Sequence, residues 1–252
     1  MPQELFGRAA LITGAGVGIG RACAVALAKA GATIGVHYRS SVEEARETVR
    51  MVEEAGARAV LLQADLTDEA AANRIVDEFT FAVGRLDVLF NNAGDPLQRT
   101  PLADCSLELW RKAFDVNATS AFLVTRRAIP HLRTSGHGSI INNLSLSVQT
   151  GGAGGAGPYA AAKGALQVMT RTLSRELAPQ VRVNAIMPGV VETRHHEVFS
   201  TPERMESYRQ QTPLGRNATP DEVAGAVLFL ASDASSFTTG AIIDISGGRF
   251  LR

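Results

Sequence analysis

Tyr159 and Lys163 stand four residues apart in the stretch PYAAAK (158–163), with only alanine between them. Residues i and i+4 share one helix face. Pro158 suits the first helical turn, where its missing N–H is no loss. A phenol and an ammonium on one face can do acid/base work. A free tyrosine titrates near pKa ~10, and bringing it to ~7–8 takes ~3–4 kcal/mol of preferential stabilisation of the phenolate. The neighbouring ammonium is expected to supply part of that. On an arbitrary helix the same pair is a solvated face, so the elements around it decide.

Those elements alternate. Apolar runs of strand length lie at 9–13, 32–38, 58–63, 86–90, 139–144, 181–187 and 241–246. Several are nearly continuous, as in strands covered on both faces. Stretches with helical spacing fall at 19–30, 42–55, 68–83, 106–133, 159–178 and 221–232. Gly31, Gly56 and Gly84 follow three of them, where a left-handed residue ends a helix. This pattern predicts an α/β fold with right-handed crossovers and a parallel sheet between two helical layers. No linker or repeat divides residues 1–252, so one doubly wound domain is expected. Segment 188–219 is the least regular, and we read it as a mobile substrate loop with a short helix near 202–210.

Ligands of such sheets bind beyond the carboxyl ends of the strands. There the sequence places the glycine loop 14–20, HYRS (37–40), Asp65, NNAG (91–94), Ser145 and Pro188-Gly189. The loop TGAGVGIG (13–20) lacks the G-x-G-x-x-G spacing but fits G-x-x-x-G-x-G on Gly14, Gly18 and Gly20. Between a strand and a helix, such a loop brings backbone N–H groups against a pyrophosphate. Asn117 falls on the apolar stripe formed by Trp110, Phe114, Ala118, Ala121, Phe122 and Thr125. A buried amide there must find partners.

Composition excludes other classes. The chain has 25 Lys+Arg, 25 Asp+Glu, 45% hydrophobic and 20% charged residues. A balanced charge without basic blocks gives no footprint for nucleic acid. Cys23 and Cys105 show no metal or disulfide spacing, and the adjacent His195 and His196 cannot face one ion from a helix. No metal is expected. The N-terminus MPQELFGRAALITG lacks an export pattern, and no run reaches the ~18 apolar residues of a membrane span. A cytoplasmic enzyme with no membrane partner is expected.

TGAGVGIG, NNAG, a serine near the end of the fifth strand and Y-x-x-x-K together resemble the short-chain dehydrogenase/reductase family. Residues 213–248 are also similar to that family's last helix and strand. The resemblance implies a seven-stranded Rossmann-type sheet, a bound NAD(H) or NADP(H), and hydride exchange with a carbonyl or alcohol carbon. It implies catalytic roles for Asn117, Ser145, Tyr159 and Lys163. Tyr159 exchanges the substrate proton, and Ser145 holds the substrate oxygen, with Ser147 as its competitor. Lys163 holds the nicotinamide ribose, and Asn117 distorts its helix to retain a relay water. The implied cofactor contacts are Gly14, Gly18, Ile19, Gly20, Arg39, Ser40, Asp65, Leu66, Asn91, Ala93, Gly94, Pro188, Gly189, Val191 and Thr193, besides Tyr159 and Lys163.

An NAD site usually has an acid at the end of the second strand. Tyr38 stands there, followed by Arg39-Ser40, a guanidinium and a hydroxyl suited to a 2′-phosphate. This favours NADP(H), with NAD(H) the alternative because Val17 replaces the basic residue that NADP-type relatives carry in the glycine loop. The substrate is a small carbonyl compound or alcohol. The pattern resembles members that reduce 3-oxoacyl thioesters and members that oxidise sugars such as glucose. Pocket walls are expected from 95–100, 146–157 and 190–212, including Arg194, His195, His196, Phe199, Arg204 and Tyr208. A dinucleotide-binding redox sensor is the rival from another class. Homo-oligomerisation, to a dimer or tetramer through helices 106–133 and 159–178, is a further implication of the resemblance.

Overall fold

The computed structural model describes residues 4–152, 154–193 and 201–250. The predicted Arg194, His195, His196 and Phe199 lie outside them. Seven parallel strands form one sheet in the order β3-β2-β1-β4-β5-β6-β7. They are β1 (Ala9–Ile12), β2 (Thr33–Tyr38), β3 (Ala59–Gln63), β4 (Val88–Asn91), β5 (Gly138–Asn143), β6 (Val181–Pro188) and β7 (Ile242–Ile245). The order reverses between β1 and β4, which opens a crevice at their carboxyl ends.

One face of the sheet carries α1 (Gly18–Lys29), α2 (Val42–Glu54) and α9 (Pro220–Ala231). The other carries α3 (Glu69–Val83), α4 (Leu107–Phe114), α5 (Ser120–Thr134) and α7 (Gly157–Glu176). The single turn α6 (Ser147–Thr150) and α8 (Pro202–Gln210) lie at the crevice edge. Strand alternation feeds both layers. Ile12 and Ile34 pack with Leu27, Val52 and Val227, while Leu11 and Leu89 pack with Ile75, Phe79 and Val124. Phe79 also explains Gly35 inside β2, since a β-carbon there would meet its ring at 2.9 Å.

Helix starts differ in a way that matters for binding. Asp68 caps α3 by accepting from Ala71 N at 2.7 Å, Ser106 caps α4, and Thr219 with Glu222 forms a capping box on α9. The start of α1 at Val17 has no side-chain cap. Val17, Gly18 and Ile19 line the crevice, where an anion can satisfy the first N–H groups of a helix. The stretch expected as one helix over 106–133 is interrupted by a π-helical turn, Asp115–Thr119, centred on buried Asn117.

Gly20 is the tightest point of this frame. A β-carbon on it would collide with Gly14 O and approach Asn92 Nδ2 to 2.6 Å. Gly225 in α9 has nothing within 4 Å of the same position. In chemical denaturation, Gly20→Ala is expected to cost about 1–3 kcal/mol, as overpacking does. Gly225→Ala should instead add about 0.5–1 kcal/mol through helix propensity.

Candidate active site

A cleft of about 940 Å³ runs along the carboxyl edge of the sheet, from Arg39 and Asp65 at one end to Tyr159, Arg204 and Arg249 at the other. Its middle is held by asparagines. Asn92 Nδ2 donates to Thr13 O at 3.0 Å and to Gly14 O at 2.9 Å, and Asn92 Oδ1 accepts from Asn143 Nδ2 at 3.0 Å. Thr13 Oγ1 accepts the N–H groups of Asn92 and Ala93. The glycine loop, the end of β4 and the end of β5 are thereby joined. Arg21 closes the loop from behind by donating to Gly16 O at 2.6 Å and Glu44 O at 2.8 Å.

The reacting groups gather beyond β5. Lys163 is buried and donates from Nζ to Asn143 O at 2.7 Å. A β-carbon on Gly94 would lie 3.1 Å from Lys163 Nζ and 2.7 Å from Asn117 Oδ1. Only glycine leaves that approach open. Tyr159 shares a hydrogen bond with Ser145. Ser147 donates to Ser145 Oγ from its hydroxyl at 2.9 Å and from its backbone N–H at 3.2 Å. Ser147 thus occupies the acceptor side of Ser145 and leaves the Ser145 O–H to donate toward Tyr159. Of the two candidate serines, Ser145 is the one that meets Tyr159.

The electrostatics differ from expectation at Tyr159. Burial pushes its phenol up to about 12, the Ser145 hydrogen bond works against that, and the Asp95 carboxylate adds to it. Burial also brings Lys163 down to about 8. Lys163 Nζ is 5.8 Å from the Tyr159 ring centroid and is turned toward the Asn143 carbonyl. The expected lowering of the phenol by Lys163 is therefore not a property of the protein alone.

The cleft wall includes Gly14, Gly18, Ile19, Arg39, Asp65, Leu66, Ala93, Gly94, Ser145, Tyr159, Lys163, Pro188, Gly189, Val191 and Thr193. Four predicted residues are not on it. Gly20 lies beneath the loop as a spacer. Ser40 is exposed past the end of β2. Asn91 points the other way from Asn92, as strand alternation requires, and donates to Thr125 Oγ1 and Asn142 Oδ1 in the core. The Asn117 side chain is spent on Asp95 N, Asp95 O and Ala113 O at 2.8–2.9 Å. It holds the backbone of Asp95 rather than reaching the cleft.

The sequence reading singled out none of His37, Asn92, Asp95 and Asn143, although HYRS (37–40) and the expected wall 95–100 include the first and third. Asn92 was within the quoted NNAG motif, and strand parity could have selected it. His37 in β2 accepts from Gly14 N at 3.0 Å through Nδ1 and donates from Nε2 to Ala64 O at 3.2 Å.

With this geometry in place, comparison with known proteins is informative. A family model described as enoyl-(acyl carrier protein) reductase matches residues 14–249. The chain belongs to the short-chain dehydrogenase/reductase family. It is similar to 3-oxoacyl-(acyl-carrier-protein) reductase of Aquifex aeolicus, 36% identical over 99% of this chain and 100% of that one. It is equally similar to 3beta-hydroxysteroid dehydrogenase 1 of Eggerthella lenta, 36% identical over 100% and 97% of the two chains. A solved 7 alpha-hydroxysteroid dehydrogenase, complexed with NADH and 7-oxo glycochenodeoxycholic acid, superposes with TM-score 0.92. It is 31% identical, with 99% and 98% of the chains covered. The protein is thus an oxidoreductase of this family, and none of its helices among the described residues is long and apolar enough to cross a membrane.

The His37 bridge gives this short-chain dehydrogenase/reductase an acid sensitivity. Burial lowers the imidazole to about 4 from an ordinary 6.5. The unfolded chain therefore binds a proton that the folded chain refuses, and stability falls as pH drops below about 6.5. Between pH 7 and pH 5 the loss from this group is ~2 kcal/mol. Urea denaturation should show a shallower dependence over that window in His37→Gln than in the parent.

Proposed function

We propose that this enzyme reduces a ketone to a secondary alcohol with NADP(H), acting on a 3-oxoacyl thioester or a related ketone. The observation that carries the reading is the meeting of Tyr159, Ser145 and Lys163 at one wall of the cleft, beside the bare Gly94. The cleft fits a dinucleotide. Uncapped α1 and the backbone at Gly14, Gly18 and Ile19 suit the pyrophosphate. Asp65 and Leu66 suit the adenine, and Ala93 and Gly94 the middle of the molecule. Pro188, Gly189, Val191 and Thr193 line the cleft and would border the nicotinamide. When bound, the nicotinamide supplies or accepts the hydride.

The residues of the chain manage the oxygen and its proton. The Ser145 O–H donates to the substrate carbonyl oxygen and offsets the charge that develops there. Tyr159, held as a neutral phenol by burial, donates its proton to that oxygen. Lys163 has one donor on Asn143 O, and its remaining donors would hold the ribose hydroxyls and stabilise the developing phenolate. Desolvation strengthens that attraction. Asn117 fixes Asp95, and its π turn is the kind of helix distortion that recurs at functional sites.

Arg39 lines the cleft at the end of β2, where a carboxylate would select NAD. That supports the NADP(H) preference, although the solved hydroxysteroid dehydrogenase was complexed with NADH. Asp95 supports a second reading, oxidation of a sugar or polyol, because a carboxylate at this wall accepts from a substrate hydroxyl. The full set of reacting groups argues against a redox sensor without turnover.

A homo-oligomer is part of the proposal. Phe122 of α5 and Val168 of α7 are 45% and 62% exposed, beside a shallow apolar groove lined by Ala118, Ala165 and Met169.

The test is a panel of acetoacetyl thioesters, cyclic ketones and aldoses assayed with NADPH and NADH. Reduction of the oxo compounds, faster with NADPH, is expected. Tyr159→Phe should lower kcat by at least about 100-fold, the usual scale of acid catalysis, while dinucleotide binding by fluorescence stays within about twofold. Unchanged turnover in Tyr159→Phe would overturn the mechanism.

A further inference from the structure

The outer end of the cleft holds three arginines that form no ion pair among the described residues. Arg99 lies on the loop after β4, Arg204 on α8 and Arg249 beyond β7, and all three line the cleft. A β-carbon on Gly154 would be 3.2 Å from Arg204 Nη2 and 3.8 Å from Arg99 Nη1, so two guanidinium groups come together over one glycine. Arg99 also donates to Gly154 O at 3.4 Å. Arg204 donates from Nε to Tyr208 Oη at 2.6 Å, and the Tyr208 ring lies 5.6 Å from the Arg204 guanidinium and 4.7 Å from that of Arg249. Tyr208 thereby links Arg204 to Arg249, whose Nη2 donates to Gln211 Oε1 at 2.7 Å.

Among the described residues none of the three forms an ion pair. Some surface arginines are matched, as in Arg74–Glu78, Arg127–Asp77 and Arg216–Glu222. Others, such as Arg58 and Arg111, stand exposed and apart from one another. Arg99 and Arg204 differ in converging on one glycine inside the cleft. Gathering unneutralised guanidinium groups costs repulsion unless an anion joins them, and their planar donor forks fit carboxylate or phosphate oxygens. The carboxylate at the substrate wall is Asp95. It accepts from Leu97 N at 2.7 Å and acts electrostatically on Tyr159. An anionic group is therefore repelled beside the reacting oxygen and attracted at the outer end.

We propose that Arg99 and Arg204, backed by Arg249, form an oxyanion subsite, so that the substrate carries a carboxylate or phosphate remote from its reacting carbon. This rests on the oxidoreductase reading above and narrows its substrate class.

The experiment uses the whole chain loaded with NADPH and two matched pairs of probes. These are 4-oxopentanoate with its methyl ester, and dihydroxyacetone phosphate with dihydroxyacetone. Calorimetric titration and steady-state KM should each favour an anion over its neutral partner by about tenfold or more, as a charged hydrogen-bonded contact does. The preferred pair separates carboxylate from phosphate. In Arg99→Gln and Arg204→Gln that preference should collapse to within about twofold, with binding of the neutral partners unchanged. Neither side chain packs in the core, and circular dichroism checks that each variant folds. Equal affinity within both pairs, no binding by either anion, or a preference that survives both substitutions overturns the proposal. Failure of the oxidoreductase reading looks different: the neutral ketones would then show no turnover that depends on Tyr159.

Discussion

The active cleft depends on one side chain that spans the switch point of the sheet. Asn92 donates to two carbonyls of the glycine loop and accepts from Asn143, and Asn143 in turn receives the Lys163 ammonium on its carbonyl. A strand order that reverses between β1 and β4 opens a crevice, and the sheet ladder ends there with Thr13 N on Phe90 O. Beyond it, Thr13 Oγ1 and the asparagines hold the loops. Each asparagine is buried or half-buried, so a missing partner would carry the full desolvation cost of the amide. The loop proposed to receive phosphates and the lysine proposed to hold the ribose and the phenolate are thus joined through two residues.

Burial sets the chemistry within that frame. It raises the Tyr159 phenol to about 12 and lowers Lys163 to about 8, so each is shifted toward its neutral form. Bringing the two toward each other's charge is then worth more than it would be in water. Asp95, held by Asn117, opposes negative charge at the same spot. The outer arginines invite it several residues away. The cleft is therefore graded in charge along its length: neutral acid and carboxylate at Tyr159 and Asp95, where the carbonyl is proposed to react, and positive charge at its mouth.

Much of this was legible in the sequence. Runs of apolar residues alternating with helical spacing are dictated by burial on both sheet faces, and all seven strands fall where those runs lie. The glycine loop, Tyr159, Lys163 and Ser145 were singled out by their types, their spacing and the family resemblance, and the fold brings them to one cleft. Asn91 was chosen over Asn92 because adjacent asparagines look alike in sequence, and only strand parity separates them. Asn117 was expected in the cleft because its helix distortion was anticipated, whereas the partners that consume its amide lie on a distant loop. His37 reads as an ordinary strand residue, since its bridge from Gly14 to Ala64 exists only after three strands align. The rise at Tyr159 could not be read from an i, i+4 pair, because burial and the direction of an ammonium are tertiary properties.

The central claim is that Asn92 and Asn143 act as one unit in setting the site. A double-mutant cycle on kcat for ketone reduction, with Asn92→Ala, Asn143→Ala and the double variant, tests it most directly. If the two act together, either single change should forfeit most of the rate, and the double variant should lose little more. The interaction energy should lie within about 0.5–3 kcal/mol. Losses that simply add would mean that the glycine loop and the Lys163 side of the cleft are positioned independently, and would contradict the account.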